Sequence, residues 1–95
     1  MSIAKSDIVK SVAGRDAGSL FFVLATEGED FLLLADGKRR RVENPKRKRL
    51  RHVVPTGLDA GAAAERIRSS EKVTNSELRK AIAALESGGN QDQEG

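Results

Sequence analysis

Apolar residues occur in short runs separated by turn residues in the first part of this 95-residue chain. The runs at 20–25 (LFFVLA) and 31–35 (FLLLA) are continuous, are too short for a typical helix and are bounded by turn residues, as buried strands are. Shorter apolar segments at 8–12 and 50–54 favour two further strands. The pattern therefore predicts a mainly β structure with a hydrophobic core of modest size.

An Asp-Gly pair follows the run at 31–35 directly. Asp-Gly between two extended segments is the strongest short-range signal for a β-hairpin, so we predict a further strand at 38–42. About five short strands joined by tight turns close most easily into a small barrel, because closure removes exposed strand edges. We expect this five-stranded barrel to occupy residues 1–57.

The spacing of apolar residues becomes helical in the remainder of the chain. Residues 60–69 are rich in alanine and favour a first helix. Thr74 and Glu77 have the spacing of a capping box, which predicts the start of a second helix. The apolar residues that follow share one helical face: Leu78, Ala81, Ile82 and Leu85. We expect one or two helices within 58–87 and a disordered tail at 88–95, which contains nothing to bury.

Composition excludes several kinds of chemistry. The chain has no cysteine and one histidine, His52, so disulfides, thiol nucleophiles and structural zinc sites are excluded. We find no nucleophile, general base or metal-binding cluster in the pattern, and we expect a non-enzymatic protein with no cofactor and no small-molecule substrate. No apolar run approaches the ~20 residues that span a bilayer, and the N-terminus does not resemble a signal peptide. A cytoplasmic location without a membrane partner is expected.

Positive charge is concentrated in one segment. Residues 38–51 (KRRRVENPKRKRLR) contain nine Lys and Arg residues and one acid, whereas the whole chain has a net charge of only +3. Clustered like charges repel one another unless a counter-charge is present, and a polyphosphate backbone supplies one. A solvated charged surface and a targeting or membrane-binding patch are the alternatives. Phosphate binding is predicted for the bases of the segment: Lys38, Arg39, Arg40, Arg41, Lys46, Arg47, Lys48, Arg49 and Arg51.

A glycine-rich loop at 14–18 (GRDAG) precedes the strand predicted at 20–25. It lacks the sequence of a nucleotide-binding P-loop, and no helix is predicted after it. A purely structural turn and an accessory contact to a nucleic-acid backbone through Arg15 both remain open. The three phenylalanines lie inside apolar runs and are predicted to pack in the core. Binding is therefore expected to depend on backbone and shape more than on base sequence.

The clusters G-R-D-A-G, D-G-K-x-R and N-P-K-R-K occur here in that order. Together they resemble the bacterial KOW-domain RNA-binding proteins, which are similar to the KOW-bearing large-subunit ribosomal proteins of eukaryotes and archaea. The resemblance covers about residues 9–54, somewhat under half of the chain. It implies a small SH3-like barrel, and it implies RNA, in particular ribosomal RNA, as the partner, with ribosomal proteins as further contacts.

The resemblance also implies which residues contact RNA. In the first loop these are Gly14, Arg15, Asp16 and Gly18, and in the second region they are the basic turns within 38–51, with His52 beside them. The function expected is non-enzymatic binding of ribosomal RNA or the ribosome. The alternative is a protein-interaction adaptor in transcription or translation that uses the barrel and the C-terminal helix.

Overall fold

The computed structural model describes the backbone of residues 3–92 and the side chains of residues 3–87. The secondary-structure elements are β1 (Ile8–Ser11), β2 (Leu20–Glu27), β3 (Phe31–Ala35), β4 (Lys46–Arg49), β5 (Val53–Pro55), α1 (Ala62–Arg68) and α2 (Asn75–Asp92). All strand pairs are antiparallel, and the order in the sheet is β4-β3-β2-β1-β5. The predictions of a mainly β fold, of five strands and of following helices are confirmed.

The sheet is rolled rather than flat. Strands β4 and β5 lie at opposite edges, yet only a 3₁₀ turn, Leu50–His52, connects them. A flat five-stranded sheet would separate its edge strands by about 19 Å, whereas three residues of 3₁₀ helix advance about 6 Å. The two edges must therefore approach each other. Within residues 3–92 no hydrogen-bonded ladder joins β4 to β5, so the sheet is not closed into the barrel that we predicted.

Two hydrophobic layers form on the two faces of this sheet. Val9, Phe21 and Val23 face the inside of the roll with residues of β3 and β5. Ile8 and Phe22, which alternate with them, face the helices and pack with Ala63, Ala64, Ile67, Leu78 and Ile82. Alternate residues of a strand point to opposite faces. Both faces of β1 and β2 are covered, and this explains why the apolar run at 20–25 is continuous.

The predicted strand at 38–42 is wrong, because residues 36–45 form a loop and the partner of β3 is β4. Asp36 fixes the start of the loop: its Oδ1 accepts hydrogen bonds from the backbone amides of Lys38 and Arg40, both at 2.9 Å. The backbone amides of Asp36 and Gly37 both donate to the carbonyl oxygen of Arg40. These local bonds close a turn that leaves the ladder of β3 available to β4.

The capping box at the start of α2 is confirmed. The Glu77 amide donates to Thr74 Oγ1 at 3.1 Å, and the Thr74 amide donates to Glu77 Oε1 at 2.8 Å. The helix continues to Asp92, past the end predicted before residue 88, and residues 93–95 of the predicted tail lie outside the described residues. Within residues 3–92, neither helix combines the length and the apolar character needed to cross a bilayer.

Candidate nucleic-acid interface

Strand β4 divides its basic side chains between two faces. The register pairs Lys46 with Leu34 and Lys48 with Leu32, both of which are buried inside the roll. Arg47 and Arg49, which alternate with the lysines, lie on the outer face. The four consecutive bases that the sequence presents as one cluster therefore have two different environments.

The inward lysines bind a buried carboxylate in the loop between β1 and β2. Asp16 Oδ1 accepts hydrogen bonds from Lys48 Nζ and Ser11 Oγ, both at 2.7 Å, and Lys46 Nζ lies 3.0 Å from Asp16 Oδ2. Lys48 Nζ also donates to the carbonyl oxygen of Ala13 at 2.7 Å. These contacts connect the edge strand β4 to the loop after β1.

The electrostatics of this cluster favour the charged carboxylate. Burial alone would raise the pKa of Asp16, but the hydrogen bonds from Lys48, Ser11 and Lys46 outweigh burial and hold that pKa well below its usual range. Lys48 is only 6% exposed, and its ammonium group is occupied by Asp16 and Ala13. This placement argues against a direct contact between Lys48 or Asp16 and RNA, and gives both residues a structural role.

Three separate segments bring cations together in a cleft beside this cluster. Arg15 comes from the loop between β1 and β2, Arg39 and Arg40 come from loop 36–45, and Lys46 begins β4. We call this the basic cleft; Asp16 and the buried ring of Phe21 complete its lining. Four cations thus surround one carboxylate, and that carboxylate is already bound by Lys46 and Lys48. The cleft has an excess of positive charge and hydrogen-bond donors suited to phosphate oxygens.

Helix α2 holds the loop that carries two of these arginines. Asn75 Oδ1 accepts a hydrogen bond from the Val42 amide, and Asn75 Nδ2 donates to Glu43 Oε1, both at 2.8 Å. The bond from Asn75 lowers the pKa of Glu43. The backbone of Gly37 packs directly against the backbone of helix α2. Its φ is +79°, and a Cβ at this position would lie 2.2 Å from the carbonyl oxygen of Asn75. Only glycine fits this contact without a shift of the helix or the loop.

The outward residues of β4 form a different surface. The guanidinium carbon of Arg47 lies 3.6 Å from the ring centroid of Phe31, and that of Arg49 lies 5.0 Å from it, so both make cation–π contacts. Arg47 Nε also donates to Glu27 Oε1 at 2.7 Å. These two arginines do not line the basic cleft.

The remaining predicted residues are dispersed. Arg41 lies 3.6 Å from Glu43, Arg51 is exposed in the 3₁₀ turn, and His52 is half-buried there, with its carbonyl oxygen accepting from the Val12 amide. Gly14 and Gly18 both have positive φ values and shape the first loop, in which the Gly18 amide donates to the Ser11 carbonyl oxygen.

Intramolecular pairing leaves most of the positive charge of segment 38–51 uncompensated. Four of its bases, Arg41, Lys46, Arg47 and Lys48, form ion pairs, but they share only three carboxylates. Among the side chains of residues 3–87, the other five have no carboxylate within 4.0 Å: Lys38, Arg39, Arg40, Arg49 and Arg51.

Sequence reasoning missed the residues that organise these cations. Asn75 is separated from its partners Val42 and Glu43 by 33 and 32 positions, and no local pattern marks such pairs. Ser11 lies only five positions before Asp16, but a single serine next to a turn does not indicate a buried hydrogen bond. Arg79 Nη1 donates to the Gly37 carbonyl oxygen at 3.2 Å. Arg79 lies on the polar face of α2, and the sequence of that face does not distinguish it from an ordinary solvent-exposed helix face. Comparison with protein-family models gives no match, and no curated protein is significantly similar to the chain.

Proposed function

We propose that this protein is a non-enzymatic RNA-binding protein that contacts RNA through the basic cleft. The observation that carries the proposal is the convergence of Arg15, Arg39, Arg40 and Lys46 from three segments around one carboxylate that is already neutralised. Among the side chains of residues 3–87, the three arginines of this array have no carboxylate within 4.0 Å. Such cations are suited to a polyanion, whose phosphates release bound counterions when they are neutralised.

The chemistry of the cleft favours recognition of a phosphate backbone. Its cations are guanidinium and ammonium groups, and its one aromatic residue, Phe21, is 2% exposed and has no face open for base stacking. Contacts of this kind position a nucleic acid without reading its bases. The proposed specificity is therefore for RNA shape and backbone.

The nature of the RNA follows from the KOW resemblance. The strand order, with β1 and β5 paired and the two edges brought together by a 3₁₀ turn, supports assignment to an SH3-like fold of the KOW type in which the sheet stays open between β4 and β5. We accordingly propose ribosomal RNA as the target, ribosomal proteins as neighbours and the cytoplasm as the location. The adaptor alternative would need a free helix surface, but Leu78 and Ile82 of α2 are buried against the sheet.

A salt titration with fluorescently labelled ribosomal RNA fragments tests the proposal. Four phosphate contacts predict a slope of log K against log salt near −3, since each contact contributes about −0.7 to −0.9. The variant Arg39→Gln/Arg40→Gln removes two contacts and should weaken binding about 25- to 60-fold at about 0.1 M salt. Its matched control is Lys72→Gln/Lys80→Gln, which removes the same charge from exposed positions outside the cleft.

Two results would contradict RNA binding at this cleft. One is binding that does not change with salt, and the other is an equal loss of affinity in the control variant. Sedimentation separates the target classes: co-migration with ribosomal subunits that RNase abolishes supports ribosomal RNA, whereas co-migration with a protein complex after RNase treatment supports the adaptor.

A further inference from the structure

We propose that Arg79 of helix α2 contacts RNA phosphate, in a second cleft that adjoins the basic cleft. This inference rests on the proposed function and extends it to the C-terminal helices, for which the KOW resemblance implies no role. Its consequence is that RNA binds across the junction of sheet and helix, and that the binding surface includes α2.

The position of Arg79 follows from the close approach of α2 to loop 36–45. Arg79 Nη1 donates to the carbonyl oxygen of Gly37 at 3.2 Å, so its guanidinium group lies at the base of the loop. The close approach of Gly37 to the backbone of Asn75 and Arg79 also holds the loop against the first turn of the helix. Lys38 and Arg39, which follow Gly37, are therefore carried to the side of Arg79, and all three line one cleft.

The charges of this second cleft are not satisfied within the molecule. Among the side chains of residues 3–87, none of the three cations has a carboxylate within 4.0 Å. Two carboxylates, Asp36 and Glu86, also line the cleft, so its three cations exceed its anions by one. Asp36 Oδ1 accepts the backbone amides of Lys38 and Arg40 and is committed to the turn, and Glu86 lies more than 4.0 Å from each of the three cationic groups. Arg79 uses one of its five N–H donors on Gly37, and the guanidinium fork retains others for a phosphate oxygen.

Arg39 makes the two clefts continuous. It lines both of them, and its Nη2 donates to Ser19 Oγ at 3.2 Å, which holds the side chain over the start of β2. A ligand that fills both clefts must present anionic groups on each side of Arg39. Successive phosphates of one RNA strand have this property, whereas a single phosphate or a mononucleotide can occupy only one cleft.

The test uses the full chain, a labelled RNA oligonucleotide and the salt titration described above. Replacement of Arg79 by Gln should reduce the salt slope by about 0.7 to 0.9 and weaken binding about five- to eightfold at about 0.1 M salt. Lys80→Gln removes the same charge from the next residue of the helix, which lines neither cleft, and should leave the slope unchanged. Arg79→Lys keeps the charge and should keep the wild-type slope.

The outcomes separate this inference from the proposed function. An Arg79→Gln slope equal to that of Lys80→Gln overturns the role of Arg79, and if Arg39→Gln/Arg40→Gln still loses binding, the basic cleft remains the RNA site. A wild-type protein that binds no RNA overturns both. Circular dichroism melting of each variant verifies the fold. If Arg79→Gln unfolds, Arg79→Lys provides the test, because it keeps the positive charge. A salt slope for Arg79→Lys that is smaller than that of the wild type would contradict a phosphate contact.

Discussion

Replacement of Asp16 by asparagine would leave the ammonium group of Lys48 buried without a counter-charge. Asp16 accepts two charge-assisted hydrogen bonds, from Lys48 at 2.7 Å and from Lys46 at 3.0 Å, in addition to one from Ser11. Hydrogen bonds to charged groups contribute about 1.5–3 kcal/mol each, and removal of one partner of a buried ion pair costs about 3–5 kcal/mol. Because asparagine retains one acceptor oxygen, we expect a loss of about 3 kcal/mol in the free energy of unfolding.

Urea denaturation at neutral pH measures this loss, and Glu27→Gln provides a matched control. The Arg47–Glu27 pair has the same 2.7 Å distance as the Lys48–Asp16 pair, but its side chains are 57% and 44% exposed rather than 6% and 11%. An exposed ion pair contributes about 0–1 kcal/mol. If both variants lose the same free energy of unfolding, the argument that burial governs the stability of this cluster is refuted.

The pH dependence gives a second reading of the same cluster. The pKa of Asp16 is lower in the folded protein than its ordinary value near 4, so the unfolded state binds more protons as the pH falls below that value. The stabilisation is therefore complete above about pH 4 and is lost progressively as acid is added. The difference in unfolding free energy between the wild type and Asp16→Asn should narrow below about pH 4; a difference that stays constant to pH 2 would refute the ionic origin.

Two further substitutions test the packing around the site. Gly37→Ala should lower the free energy of unfolding by at least about 2 kcal/mol in urea denaturation, because it combines a positive φ with a Cβ 2.2 Å from the Asn75 carbonyl oxygen. The control Gly28→Ala also has a positive φ, but its Cβ meets no atom within 4 Å, so it should cost only about 1 kcal/mol. Equal losses in the two variants would contradict the close approach of Gly37 to helix α2. Phe22→Ala should cost about 4 kcal/mol, because the ring is fully buried between sheet and helices, and a loss below about 1 kcal/mol would contradict that position.

The fold was predictable where apolar residues form a bounded continuous run or follow the helical period. The runs at 20–25 and 31–35 became β2 and β3, and the capping box with its apolar stripe became α2. The prediction was wrong at 38–42, because neither that segment nor β4 contains an apolar alternation that would distinguish strand from loop. A tertiary contact favours a strand at 46–49: the inward Lys48 binds the buried carboxylate of Asp16, and a local sequence pattern cannot show such a partner.

The sequence predicts where the positive charge is concentrated, but it does not predict how the cationic side chains are arranged in space. Composition located the excess of cations at 38–51, but it treated Lys46, Arg47, Lys48 and Arg49 as equivalent. The two-residue period of β4 separates them into an inward pair that binds Asp16, of which Lys48 is buried, and an outward pair that packs on Phe31. Arg79, which we propose as an RNA contact, lies on a helix that carries no sequence signal for RNA.

The buried Lys48 connects the stability of the rolled sheet to the basic cleft. Its ammonium group joins the edge strand β4 to Ala13 and Asp16 in the loop after β1, and no backbone ladder joins these two segments. The same contacts neutralise the one carboxylate of the basic cleft and fix the loop that presents Arg15. Loss of the cluster should therefore disturb stability and RNA binding together, whereas loss of Arg39 and Arg40, which have no carboxylate partner among the described side chains, should reduce binding alone.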